Sequence, residues 1–135
     1  MKKETSKQTV LEWILVALCV LLCAGMKLVF HACEVGENIM ACHWAEQAAF
    51  GVAIVLVVQA ILLVFIRKAD GKLGIKLAMI PTALLEVCIP GVFIHLCMMN
   101  TMRCHTIMRP AVSLFGVAIA VVALVSALLE RRQEQ

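Results

Sequence analysis

The amino-acid sequence predicts an all-α polytopic membrane protein, with four transmembrane helices in one bundle built from two parallel helical-hairpin repeats. Three observations predict it. Of the 135 residues, 63% are hydrophobic and 16% charged, whereas a soluble domain carries about 45–50% apolar and about 25% charged residues. Too little polar material remains to cover a water-facing surface. Four apolar runs are separated by polar breaks, and the second pair of runs repeats features of the first. A chain of this length holds a single domain, residues 1–135, with repeat one at about 10–67 and repeat two at about 73–130.

The runs are Val10 to His31, Glu46 to Ile66, Leu73 to Met99 and Pro110 to Leu129. Each approaches or exceeds the roughly 20 residues with which an α-helix crosses about 30 Å of hydrocarbon. Barrel strands are excluded by length and pattern, since they are about 10 residues long and alternate apolar with polar. The first run is too long for the apolar core of a signal peptide and has no small-x-small cleavage site after it, so it is expected to stay as a helix. Between runs two and three, Arg67-Lys68-Ala69-Asp70-Gly71-Lys72 reads as a tight polar turn with Asp-Gly at its tip. Pro81, Pro90 and Gly91 make the third helix the one expected to bend.

Lys and Arg positions set the orientation. Lys2, Lys3, Lys7, Arg67, Lys68, Lys72, Lys76, Arg131 and Arg132 fall on one side, nine of the twelve positive residues, against Lys27, Arg103 and Arg109 on the other. The positive-inside rule then predicts a cell-membrane protein with both termini cytoplasmic. The connections after helices one and three become extracytoplasmic. Trp13 and Trp44 suit the aromatic belts at the two interfaces.

Those two outer connections are related. His31, Cys33, Met40, Cys42 and His43 recur as His95, Cys97, Met102, Cys104 and His105, and Phe50-Gly51-Val52-Ala53-Ile54 recurs as Phe115-Gly116-Val117-Ala118-Ile119. Two helices per copy give both copies the same sense across the bilayer, a parallel repeat about an axis along the membrane normal. Gly51 and Gly116 are expected at equivalent positions where helices approach closely.

The loop residues admit three chemistries. Outside the cytoplasm disulfides are favoured, and four cysteines allow three pairings. Cys33 with Cys42 and Cys97 with Cys104 preserve the repeat, and closing such short loops stabilises by about 2–3 kcal/mol; a pairing across the loops would tie the halves together. Thiol exchange is the second reading: His43 and His105 follow cysteines and favour the thiolate when protonated, but the Cys-x-x-Cys spacing of such chemistry is absent. The third is a soft metal such as copper, or haem, held by His31, His43, His95, His105, Met40 and Met102, although no zinc-site spacing is met. Each residue also has a plainer use. His31 and His95 suit the headgroup level, Met98 and Met99 fill gaps, and Cys19, Cys23 and Cys88 sit within helices as small apolar residues.

Cys33-Glu34-Val35-Gly36, Cys42-His43-Trp44, and Cys97 with Met102-x-Cys104 resemble a family of small bacterial and archaeal four-span membrane proteins of unknown function. The resemblance covers nearly the whole chain. It implies the four-span architecture and, from members that look as if they are encoded beside ABC-type exporters, an accessory role.

Two ionisable residues fall inside the hydrocarbon region. Glu86 lies near the middle of helix three, where a carboxylate has to face the bundle interior, pair, or carry a proton. Lys27 is a candidate partner across a depth difference of about 7 Å; the alternative is that Lys27 snorkels outward and Glu86 is a neutral acid bonded to Thr82 or to another helix. No nucleotide, phosphate or hydrolase motif occurs, and the net charge of +3 is too small to point to nucleic acid. The expected function is that of a non-enzymatic membrane protein with no cofactor and disulfide-pinned outer loops, embedded in the lipid bilayer. It would associate with a partner such as an ABC-type exporter or with its own copies. The alternative is a copper, haem or thiol-redox protein.

Overall fold

The computed structural model describes residues 2–29, 41–94 and 104–135, with side chains at all of these except 2, 4, 5, 41, 42, 104 and 105. Helix α1 spans Lys2–Leu28, α2 Ala41–Phe65 and α3 Ala69–Cys88; a π-helical turn at Cys104–Met108 runs into α4, Arg109–Glu134. Among the described residues the fold is all-α, with one isolated bridge between Pro90 and Ile94. Three segments are long and apolar enough to cross a membrane: Ser6–Leu28, His43–Phe65 and Thr106–Glu134. Helix α3 is not one of them, because Asp70, Lys72, Lys76 and Glu86 lie within its 20 residues.

Packing follows from the spacing of inward residues. On α1 these are Gln8, Glu12, Leu15, Cys19, Leu22 and Met26, on α3 Lys76, Met79, Ala83 and Glu86. The alternating steps of three and four are the pattern of nearly aligned helices whose side chains interdigitate. Each helix packs on its neighbours in sequence, and α4 closes the ring against α1. Helix α2 buries Ala45, Ala49, Ala53 and Ala60, with Leu56 and Leu63 as its two large inward residues, but exposes Ile54, Val55, Val58, Ile61, Leu62 and Phe65. Small residues inside and large apolar ones outside invert the order of a water-soluble protein. That inversion is what helices surrounded by lipid require, since close backbone approach rather than water exclusion drives them together.

Several sequence expectations are corrected. The turn between α2 and α3 lies at residues 66–68, and Asp70-Gly71 opens the first turn of α3, where the acid complements the helix dipole. A Cβ at Gly71 would stand 2.9 Å from Ile66 Cγ2, so any larger residue there would make the Ile66 side chain shift. Helix α3 runs through Pro81 and stops at Cys88, well short of Met99. The break belongs to Pro90 and Gly91: Gly91 takes φ +108°, and the amides of Val92 and Phe93 bond back to Cys88 O and that of Ile94 to Ile89 O. The carbonyl of Cys88, the last residue of the helix, is thereby satisfied. Pro110 at the start of α4 has no N–H to offer the preceding turn, and that turn is the π-helical one.

Gly51 and Gly116 are not equivalent. A Cβ on Gly116 would lie 2.4 Å from Val87 Cγ2 and 3.1 Å from Ala83 O, whereas one on Gly51 would meet nothing within 4 Å. The α3–α4 seam depends on its glycine, and α2 does not.

Candidate functional site

Ion pairs fix the register of the bundle. Lys27, at the end of α1, lies 3.7 Å from Glu46 near the start of α2, and its Nζ stands 4.5 Å above the Phe50 ring. At the opposite end Glu12 of α1, Lys72 and Lys76 of α3 and Glu130 of α4 come together. Leu28, Ala41, Cys88 and Cys104 therefore lie at the Lys27 end, and the hairpin turn 66–68 lies at the Glu12 end.

The Glu12 cluster is the most highly organised polar feature of the described residues. Lys76 Nζ donates to Glu130 Oε2 at 2.6 Å and lies 3.6 Å from Glu12 Oε1, while Lys72 Nζ donates to both Glu12 oxygens at 2.9 Å. The Lys76 side chain is 0% exposed, those of Glu12 and Glu130 are 5% and 6%, and that of Lys72 is 22%. Two carboxylates and two ammonium groups alternate as Glu130, Lys76, Glu12, Lys72, with no net charge. Charges so far from water are tolerated only when paired and hydrogen-bonded, and this set satisfies itself while joining three helices.

Sequence reasoning counted Lys72 and Lys76 as loop charges and gave no role to Glu12 or Glu130. A usable signal was present. Glu12 lies just inside the start of run one, Glu130 just past the end of run four, and Lys72 and Lys76 just past the hairpin turn, so all four share a depth. Taking the two lysines from the nine leaves seven, so the charge bias survives.

Glu86 is not paired with Lys27. Ten residues, about 15 Å along α3, separate it from Lys76, which places it at the level of Leu22 on α1 rather than beside Lys27. Lys27 turns instead to Glu46, whose side chain is only 10% exposed. Both Glu86 oxygens are buried without a hydrogen-bond partner. Thr82 is likewise not its partner: the Thr82 hydroxyl donates to Ala78 O at 2.9 Å and accepts from Gln59 Nε2 at 3.5 Å.

Of the loop candidates, His31, Cys33, Met40, His95, Cys97 and Met102 lie outside the described residues, and Cys42, Cys104 and His105 are described in backbone alone. Cys42 lies in the first turn of α2 and Cys104 opens the turn before α4, which puts both at the Lys27 end. The His43 side chain is described and packs edge-on against Trp44, ring centroids 5.9 Å apart. Among the described residues no three His, Cys, Asp or Glu side chains gather to hold a metal ion. Cys19, Cys23 and Cys88 are free thiols, Cys19 fully buried.

Comparison with known proteins finds no match among curated proteins or among solved structures. One family does match, over residues 14–129, a span that takes in both His/Cys segments, Lys72, Lys76 and Glu86 and stops just short of Glu12 and Glu130. The chain belongs to that family, a domain of unknown function designated DUF4418.

Proposed function

We propose that this chain is a four-span integral membrane protein, both termini cytoplasmic, that acts without catalysis as an interaction subunit of a larger membrane complex. The observation that carries the proposal is the closed charge cluster. The ionisable groups of Glu12, Lys72, Lys76 and Glu130 are engaged with one another, which ties α1, α3 and α4 into a stiff frame. The outer faces of the helices, with Trp13, Leu21, Val58, Leu62, Leu114 and Leu128 exposed, are left as the working surface.

The same cluster supports α3 as the fourth span. Its 20 residues suffice in length for about 30 Å, Lys72 and Lys76 are neutralised by carboxylates from the flanking helices, and Glu86 faces the interior. Outer loops closed by Cys33–Cys42 and Cys97–Cys104 would complete a rigid cap at the Lys27 end, where Cys42 and Cys104 both fall in the first turn of a helical segment.

Affinity purification of the tagged full chain in a mild detergent, followed by cross-linking and mass spectrometry, tests the reading. A stoichiometric membrane partner or a defined homo-oligomer is expected. Recovery of a lone monomer that cross-links to nothing in native membranes would overturn it.

A further inference from the structure

At the Glu12 end, α1 and α4 leave a groove between them lined by Lys7, Gln8, Leu129, Arg132 and Gln133. A second, almost wholly apolar furrow adjoins it and shares Lys7 and Leu129, continuing along Val10, Leu11 and Val125. The polar part has two features of a built site. Gln8 is only 8% exposed, and its amide Nε2 is buried with no hydrogen-bond partner. A buried donor left in that state costs free energy unless a ligand accepts from it. Lys7 and Arg132 flank it, and among the described residues neither has an ion-pair partner. The two buried carboxylates of this end, Glu12 and Glu130, are held by Lys72 and Lys76.

We propose that this groove binds one anionic phospholipid, its headgroup phosphate accepting from Gln8 Nε2 between Lys7 and Arg132 and an acyl chain lying in the furrow of Val10, Leu11, Val125 and Leu129. The occupant has to be amphiphilic, since cations and an orphan donor open directly onto an apolar channel at the end where the membrane-length segments Ser6–Leu28 and Thr106–Glu134 meet. Basic pockets between membrane helices recognise lipid headgroups in this way, and an arginine fork matches phosphate oxygens.

The test is native mass spectrometry of the full chain in detergent, titrated separately with palmitoyl-oleoyl phosphatidylglycerol, phosphatidylcholine of the same chains, and inorganic phosphate. One retained phosphatidylglycerol per chain, in preference to phosphatidylcholine, is expected. Since a basic residue near an anionic surface is worth roughly a fivefold change in binding, the Lys7→Gln/Arg132→Gln double variant should weaken retention roughly thirtyfold. The Lys3→Gln/Arg131→Gln double variant removes the same charge from exposed positions outside the groove and should leave retention within about threefold. Equal retention of phosphatidylcholine, equal weakening by the two double variants, or binding of inorganic phosphate as tight as that of the lipid would each overturn the proposal. None of these outcomes bears on whether a protein partner is present.

Discussion

Lys76 and Glu130 meet at 2.6 Å with the lysine side chain wholly buried, on two helices that the sequence separates by the third run, the loop after it and the whole of the fourth run. Their contact joins the start of α3 to the end of α4, and Glu12 at 3.6 Å from the same ammonium extends it to α1. A lysine placed there cannot reach water by snorkelling. Its charge is tolerated because two carboxylates share it.

Removing that ammonium should be the most damaging single change in the bundle. Lys76→Met leaves Glu130 buried with no cation and is expected to cost about 3–5 kcal/mol. Glu130→Gln, which leaves Lys76 in reach of Glu12, should cost about 1.5–3 kcal/mol. The Lys76→Met/Glu130→Met double variant should lose less than Lys76→Met alone, because an apolar pair replaces an ion pair and Glu12 keeps Lys72. Denaturation in mixed detergent micelles, followed by far-ultraviolet circular dichroism, gives all three values; additive losses in the double variant would show that the two residues are uncoupled.

Glu86 predicts the opposite sign. Its two oxygens are buried without partners among apolar side chains, so the protein carries their desolvation uncompensated. Glu86→Leu should raise stability by about 1–3 kcal/mol, whereas Glu86→Gln, which exchanges one orphan group for another, should change it by less than about 1 kcal/mol. A Glu86→Leu variant less stable than the natural chain in the same micelle assay would show that the carboxyl is bound by something the isolated bundle lacks.

The contrast between these residues explains what could be read in advance. Helix number and a polar break between runs two and three were legible because the length and apolarity of a run report long helices directly, but the turn itself occupies 66–68 rather than the Asp70-Gly71 tip. The end of α3 was not, since Ile89, Val92, Phe93 and Ile94 prolong the hydropathy while Pro90 and Gly91 end the helix. Glu86 stood out as a lone acid in an apolar run. The Glu12 cluster did not, because each member sits at the edge of its run and resembles a flanking charge until all four depths are compared. Lys27 pairs with Glu46 rather than Glu86 for a related reason: Glu46 stands at the start of run two and faces Lys27 across the first connection, a proximity that depth along a single helix does not reveal.

The two glycines of the repeated Phe-Gly-Val-Ala-Ile element should respond differently to the same substitution. Gly116→Ala forces a methyl against Val87 and the Ala83 carbonyl, which backbone cannot yield cheaply, and should destabilise by about 1–3 kcal/mol. Gly51→Ala meets open space and should stabilise by up to about 1 kcal/mol through helix propensity. Thermal denaturation of the two variants side by side checks this, and equal losses would restore the equivalence that the repeated sequence suggests.

The cysteines give the last prediction. Cys19, Cys23 and Cys88 are free thiols in α1 and α3, so disulfide closure of the outer loops leaves three reactive thiols among the seven cysteines. Protein denatured without reductant should therefore take up three equivalents of maleimide, and peptide mapping should recover Cys33 joined to Cys42 and Cys97 joined to Cys104. Loops this short gain about 2–3 kcal/mol each from closure, so reductant should lower the denaturation midpoint of the natural chain and leave that of a variant with all four loop cysteines changed to serine unmoved. Seven equivalents of label would place the loop sulfurs in the thiol state and return them to metal or exchange chemistry, because a thiolate already joined in a disulfide can serve neither.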